Sequence, residues 1–130
     1  WTPTEGYIRE SLHEVSWALR DVRRDQAKNM DPKLLDELFL LQLRMRYPKP
    51  MHILSGYRSP ATNAMLRRHN RGVAKDSFHM YGKATDVRMP GRSTSELRRA
   101  AVSLQAGGVG YYPRSSFVHV DSGPVRTWRG

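Results

Sequence analysis

Residues 107–128, "GGVGYYPRSSFVHVDSGPVRTW", decide the fold. Three short runs in it, "VGYY", "FVHVD" and "VRTW", have strand character and are separated by Pro, Ser and Gly positions that turn a chain. Within "FVHVD" the two-residue period of a strand puts Phe117, His119 and Asp121 on one face and Val118 with Val120 on the other. The valines belong in a core and the polar pair in a cleft. At roughly 3.3 Å of rise per residue, the α-carbons of His119 and Asp121 lie about 6.6 Å apart, close enough to serve one site. Beyond the Gly123-Pro124 turn, Arg126 and Trp128 alternate onto a common face in the same way.

Working outward, the preceding segments are mainly helical. Ser93 and Glu96 have capping-box spacing ahead of a helix that runs through Leu104, with Gly107 and Gly108 available to close it. Asp31 is a good N-cap and Pro32 a good first residue for a helix stopped by Pro48 and Pro50. Its apolar residues, Leu34, Leu35, Leu38, Phe39 and Leu41, span so wide an arc that a central, buried helix is expected. Ile8, Leu12, Val15, Leu19 and Val22 recur at helical spacing and predict a helix ending near Arg24. "MHILSG" reads as a strand ended by Gly56, and "NAMLRRHN" as a short basic helix after the Pro60 turn. Helices come first and strands cluster late. The expected fold is α+β, a small, mainly antiparallel sheet flanked by helices in a single domain over residues 1–130. Residues 1 to about 30 are expected to form a helical extension packed on it, and there is no internal repeat, low-complexity tract or linker.

Composition limits the chemistry. The 130 residues suffice for a single core. No run approaches the roughly 18 apolar residues of a membrane span. The first residue is Trp1 with no charged-then-apolar leader visible, as in a mature or trimmed product. The chain has no cysteine, which excludes a disulfide framework, a thiolate zinc site and a cysteine nucleophile together. A metal would have to be held by His and carboxylate. Lys and Arg number 22 against 12 Asp and Glu, a net charge of +10 that favours a polyanionic partner.

A second stretch, "SFHMYGKATDV" at residues 77–87, has one His and one Asp seven positions apart across a glycine. Gly82 permits a turn that a side chain would resist. After it, Ala84, Asp86 and Arg88 share one strand face while Thr85, Val87 and Met89 share the other. Asp86 then projects from a rigid strand and His79 folds back over it. The third partner comes from "FVHVD", where one of His119 and Asp121 can hold a metal while the other reaches a water. Two His and one Asp with an open position make a workable hydrolytic zinc site. His13, His52 and His69 lack partners at ligand spacing and read as surface or packing residues. Arg67, Arg68 and Arg71 read as a solvated helix edge.

Together, "ILSGYRSPATN" (53–63), "SFHMYGKATDV" and the 107–128 stretch resemble the zinc-dependent peptidoglycan peptidases related to the D-Ala-D-Ala carboxypeptidases. The similarity covers about residues 31–128. It implies zinc bound by His79, Asp86 and His119, with Arg58 polarising the scissile carbonyl. By the same resemblance Ser77 contacts substrate, and Arg126 and Trp128 buttress the last ligand's strand, Arg126 being a candidate for binding a substrate carboxylate. Of Tyr111 and Tyr112, which follow a glycine pair near the cleft, one is a candidate for lining it, taken as Tyr111, although an aromatic in a strand also suits the core. Many relatives carry an acidic base three residues before the last ligand, where this chain has Ser116. Asp121 is the substitute as catalytic base, or else orients a ligand imidazole.

What the resemblance implies for function is a periplasmic metallopeptidase acting on peptidoglycan stem peptides, and a monomer is expected. The branch it most resembles implies an L,D-endopeptidase that cuts the diaminopimelate-diaminopimelate crosslink, with D,D-endopeptidase or carboxypeptidase specificity as the alternative. A non-catalytic zinc module like the related hedgehog signalling domain would keep the ligands and lack a base. A nucleic-acid binder would use the basic surface, yet no recognised motif with interleaved stacking aromatics is present.

Overall fold

The computed structural model of the chain describes residues 17, 19–21, 27–69 and 77–130. Three helices, α1 (Pro32–Met45), α2 (Pro60–His69) and α3 (Thr94–Leu104), accompany five strands. These are β1 (His52–Ser55), β2 (Ala84–Arg88), β3 (Gly108–Tyr112), β4 (Phe117–Asp121) and β5 (Arg126–Arg129). They form one sheet in the order β1-β2-β4-β3-β5. All neighbours are antiparallel except β3 with β5. The described residues thus make a small α+β domain with a mostly antiparallel sheet. No described helix is long and apolar enough to cross a membrane.

Strand alternation sorts the sheet into two faces. Val87, Val109, Val118 and Val120 are buried on one of them, packed with Leu34, Leu38, Leu41 and Met45 of α1 and Leu97 and Ala101 of α3. Each buried valine, leucine and methionine among them contributes about 1.5–3 kcal/mol. The opposite face carries Ala84, Asp86, His119, Asp121 and the glycines of β3.

Three expectations need correction. First, α1 is not buried all round: Phe39, Leu40 and Leu43 are exposed, because the helix covers the sheet on one side only. Second, α3 is closed not by a glycine but by Gln105, which takes the left-handed conformation at φ 51° and returns its N–H to Val102 O. Third, the helix predicted to end near Arg24 lies mostly outside the described residues, and residues 19–21 already form a turn and a bridge. The N-cap of α1 is as predicted, with one oxygen of Asp31 accepting from Lys33 N at 3.0 Å. Its other oxygen accepts from Ser122 Oγ at 2.7 Å, and Asp31 N donates to Gly82 O at 2.8 Å. The start of α1 is therefore tied to both the Gly82 turn and the end of β4.

Candidate metal centre

His79 sits in a 3-10 turn, Phe78–Tyr81, capped by Ser77, whose Oγ accepts from His79 N at 3.2 Å. Gly82 ends the turn at φ 67°, a conformation that costs a side-chain-bearing residue energy and glycine very little. β2 follows at once, and in its register with β4 Asp86 lies directly opposite His119. The Gly82 reversal and the cross-strand pair together bring one atom from each of His79, Asp86 and His119 within 4.8 Å of one another, all three residues buried.

The hydrogen bonds made by the far sides of the rings decide what this cluster can hold. His79 Nδ1 lies 2.8 Å from Gly56 O, which can only accept, so this nitrogen carries the proton and Nε2 presents a lone pair. His119 Nε2 lies 2.7 Å from Asp121 Oδ2, which fixes its proton in the same way and leaves Nδ1 as the lone pair. Both lone pairs point at Asp86 Oδ1 from 3.2 Å. Three acceptors facing one another repel unless a positive species lies between them. Tetrahedral coordination at about 2.0–2.1 Å places neighbouring ligand atoms about 3.3 Å apart, close to these separations. The donor set therefore fits a divalent metal ion.

The electrostatics agree. Burial alone would raise the Asp86 pKa, but the interactions with His119 and His79, which hydrogen-bond to it whenever a proton takes the place of a metal ion between them, overcome it and hold the carboxyl well below the usual range. Burial would lower the pKa of His119, yet its bonds to Asp121 and Asp86 push it up. This is a field that stabilises added positive charge.

Around the cluster, Arg58 is buried, with Nη2 3.7 Å from Asp86 Oδ2 and 3.5 Å from Ser55 Oγ. Its Nη1 donates to Asn63 Oδ1 at 3.1 Å, so α2 aims the guanidinium at the site. Asp121 has no exposed surface. Its Oδ1 accepts from Gly108 N, Gly123 N and Arg126 Nη1, each at 3.0 Å. Its Oδ2 accepts from His119 and from Arg126 Nη2 at 3.0 Å. Burial raises its pKa, but His119 and Arg126 outweigh this and hold it well below the usual carboxylate range. A β-carbon at Gly108 would stand 2.7 Å from either oxygen of Asp121, so only glycine leaves the carboxylate room there.

The structure thus brings together His79, Asp86, His119, Asp121, Arg58, Ser77 and Arg126. Tyr111 is different. It pairs with Val118 on the helix-covered face, between the guanidinium groups of Arg98 and Arg129 at 5.3 and 5.5 Å, and does not line the cleft. The tyrosine on the metal face is Tyr112, stacked on Phe117 at 4.6 Å and accepting from Trp128 Nε1 at 2.9 Å. Trp128 in turn lies 5.0 Å from the His119 ring and buttresses it.

Sequence reasoning missed Asn63 and the Gly56 carbonyl, both inside the quoted 53–63 stretch, and also Glu37. The signal for Glu37 is an acidic residue at helical spacing between Leu34 and Leu41. Glu37 is only 2% exposed, and neither of its carboxyl oxygens has a hydrogen-bond partner among the described residues. Burial first, and then the negative charge of Asp121, push its pKa up from 4.5 to about 8, with His119 opposing. Between those values the folded chain holds a proton that the unfolded chain has lost, so stability falls as pH rises. Thermal melts of the native protein should decline from about pH 5 to about pH 8, by a few kcal/mol of stability in all, and Glu37→Gln should flatten the slope. An unchanged slope in that variant would place the titration elsewhere.

With this geometry established, comparison with known proteins assigns the family. The profile of the family described as peptidoglycan L,D-endopeptidase MepK matches residues 1–128. The chain belongs to the MepK family. Peptidoglycan L,D-endopeptidase MepK of Escherichia coli K12 is 50% identical over 123 residues, covering 95% of this chain and 68% of that protein. The MepK of Shigella flexneri matches with the same identity and coverage. The probable MepK of Haemophilus influenzae is 44% identical over 127 residues, or 97% of this chain and 68% of the relative. No solved structure is significantly similar to the chain. Among the described residues, the His79-Asp86-His119 cluster is where a MepK family member could hold a metal ion.

Proposed function

We propose that this protein is a periplasmic zinc endopeptidase that hydrolyses the diaminopimelate-diaminopimelate crosslinks of peptidoglycan. The observation that carries the reading is the convergence of the His79, Asp86 and His119 donor atoms in a chain of the MepK family. Two imidazole nitrogens and one carboxylate oxygen, without cysteine, suit zinc with a position open for chemistry. When bound, zinc supplies Lewis acidity and lowers the pKa of a water to about 7.

The chain's own residues do the rest. Arg58, held by Asn63 and Ser55, directs a permanent positive charge at the oxygen of the scissile carbonyl as its negative charge develops. Ser77 shapes the turn that presents His79. Arg126 is committed to Asp121 by two hydrogen bonds, so it buttresses the β4 strand in preference to binding a substrate carboxylate. The +10 charge favours capture of an anionic polymer.

Asp121 has two candidate roles, base or orienter, and its surroundings favour the second. All its accepting capacity is engaged, it is fully buried, and its depressed pKa makes it a weak proton acceptor. A carboxylate behind a ligand imidazole fixes the tautomer and raises the basicity of the ligand. Asp121→Asn should therefore lower zinc affinity by about 10- to 100-fold, read by chelator competition without substrate. Zinc affinity left at the wild-type value, with turnover lost, would return the base role to Asp121.

The reading is tested by incubating crosslinked muropeptides with the zinc-loaded protein, with and without a chelator, and weighing the products. Chelator-sensitive conversion of dimers to monomers is expected, with termini that place the cut between two diaminopimelates. A cut at D-Ala-diaminopimelate would select the D,D-specificity. Zinc binding with no cleavage of any crosslink would select a non-catalytic module.

A further inference from the structure

The segment joining β1 to α2, residues 56–59, has its backbone groups used on two sides. On one side Gly56 O accepts from His79 Nδ1 at 2.8 Å and Arg58 N donates to His79 O at 3.0 Å. On the other, Tyr57 N donates to Leu19 O at 2.8 Å and Ser59 N donates to Asp21 Oδ2 at 2.9 Å. The alternation is that of an extended strand. Even-numbered residues face the His79 turn, and odd-numbered residues face a short strap formed by residues 19–21.

The contact is built rather than incidental. Asp21 is 3% exposed and Ser59 1% exposed, so their hydrogen bond joins a buried carboxylate to a buried N–H. Ser59 also anchors the start of α2, its Oγ accepting from Thr62 N at 3.2 Å and its carbonyl from Asn63 N at 2.9 Å. Asn63 is the residue that holds the Arg58 guanidinium. A β-carbon on Gly56 would stand 2.6 Å from Leu19 O and 2.9 Å from Leu19 Cβ, so the strap lies as close as glycine permits.

We propose that Asp21, with the backbone of Leu19, is a positioning residue for the metal centre. By holding Tyr57 and Ser59 it sets where Gly56 O meets the His79 ring and where Arg58 leaves the chain. The inference rests on the proposed zinc centre and adds to it a residue that touches neither metal nor substrate. The strap acts through two relays. The Gly56 carbonyl fixes the His79 tautomer, on which the ligand lone pair depends. The Ser59-Asn63 connection fixes the Arg58 fork. A displaced loop would therefore weaken metal binding and transition-state stabilisation together, while the rest of the cleft stays in place.

The test uses the full chain and compares Asp21→Ala, Asp21→Asn and Gly56→Ala with the native protein. Zinc affinity is read by chelator competition without substrate, kcat and KM on a crosslinked muropeptide dimer, and folding by thermal melts. Asp21→Ala leaves the Ser59 N–H buried without its acceptor, and should lose about 10-fold in zinc affinity and about 10- to 100-fold in kcat, with KM nearly unchanged. Asp21→Asn keeps an acceptor oxygen and should stay within about threefold of native in both. Gly56→Ala, with Asp21 intact, should lose about 10-fold in zinc affinity because the added carbon forces strap and loop apart. Native zinc affinity and kcat in Asp21→Ala despite a lowered melting temperature would overturn the proposal, since the strap would then serve stability alone. Equal damage in Asp21→Asn and Asp21→Ala would also overturn it, because the accepted hydrogen bond would not be the cause. If Asp21→Ala fails to fold, native zinc affinity in Gly56→Ala decides against the strap. A native protein that binds zinc and cleaves nothing would refute the proposed activity, and the zinc affinities would still decide the role of Asp21.

Discussion

His119→Ala protein should emerge from zinc loading without metal and without hydrolytic activity. His119 stands directly opposite Asp86 in the β2-β4 register, so no neighbouring side chain can slide into its place without breaking the ladder. Its removal leaves two donors, His79 and Asp86, where three are needed to hold zinc with a position open. The fold should survive the change, because Asp121 keeps Gly108, Gly123 and both nitrogens of Arg126 as partners. Turnover should fall by more than about 10³-fold, since the ion's effect on the pKa of its water disappears with it. Elemental analysis after desalting, beside melting curves of metal-free native and variant protein, separates metal loss from unfolding. Full zinc occupancy in the variant would show that the ligand set is wrong.

Local rules made His79, Asp86 and the strand face shared by His119 and Asp121 legible, and the family resemblance singled out His119 as the third ligand. The period of two fixes which face Asp86 and His119 take, and Gly82 marks the reversal between His79 and β2. What local rules cannot supply is register. Tyr111 and Tyr112 are equivalent as letters in a strand, and only the pairing of Gly110 with His119 puts Tyr112 on the metal face and Tyr111 on the helix side. The fate of Asp121 was hidden for a related reason. Its surroundings depend on Gly108 and Gly123 backbone groups and on Arg126, which are brought to it by three different segments.

Helix packing was read less well than strand alternation. An apolar arc as wide as that of α1 suggests burial all round, yet only the face with Leu34, Leu38, Leu41 and Met45 meets the sheet. Glu37 on that same face was missed, although its place in the pattern carried a signal. A carboxylate among leucines points to a buried acid whose charge the fold opposes, and its raised pKa bears this out. The strap at residues 19–21 was not legible at all. Leu19 fits the helical periodicity of the first segment, and nothing near it in sequence announces a partner more than 30 positions away, at Tyr57.

Arg58→Ala should lower kcat by about 10²- to 10³-fold while zinc stays bound. The guanidinium touches Asp86 only at 3.7 Å, and the backbone N–H of residue 58, which holds His79 O, remains in the variant. Metal affinity should therefore change little, and chelator competition checks that. The loss falls on kcat because a fixed positive donor matters most when the carbonyl oxygen becomes an anion, and little when it is still neutral. Lysine should restore only a small part of the rate. Its ammonium cannot meet Asn63 Oδ1 and Ser55 Oγ as a planar fork does, so the charge would be present but not aimed. Asn63→Ala should reproduce a milder form of the same defect, with the guanidinium intact and its support removed. If Arg58→Ala instead raised KM and left kcat alone, the guanidinium would be holding substrate equally well before and during the reaction. Transition-state stabilisation would then have to come from the metal and the residues that hold it.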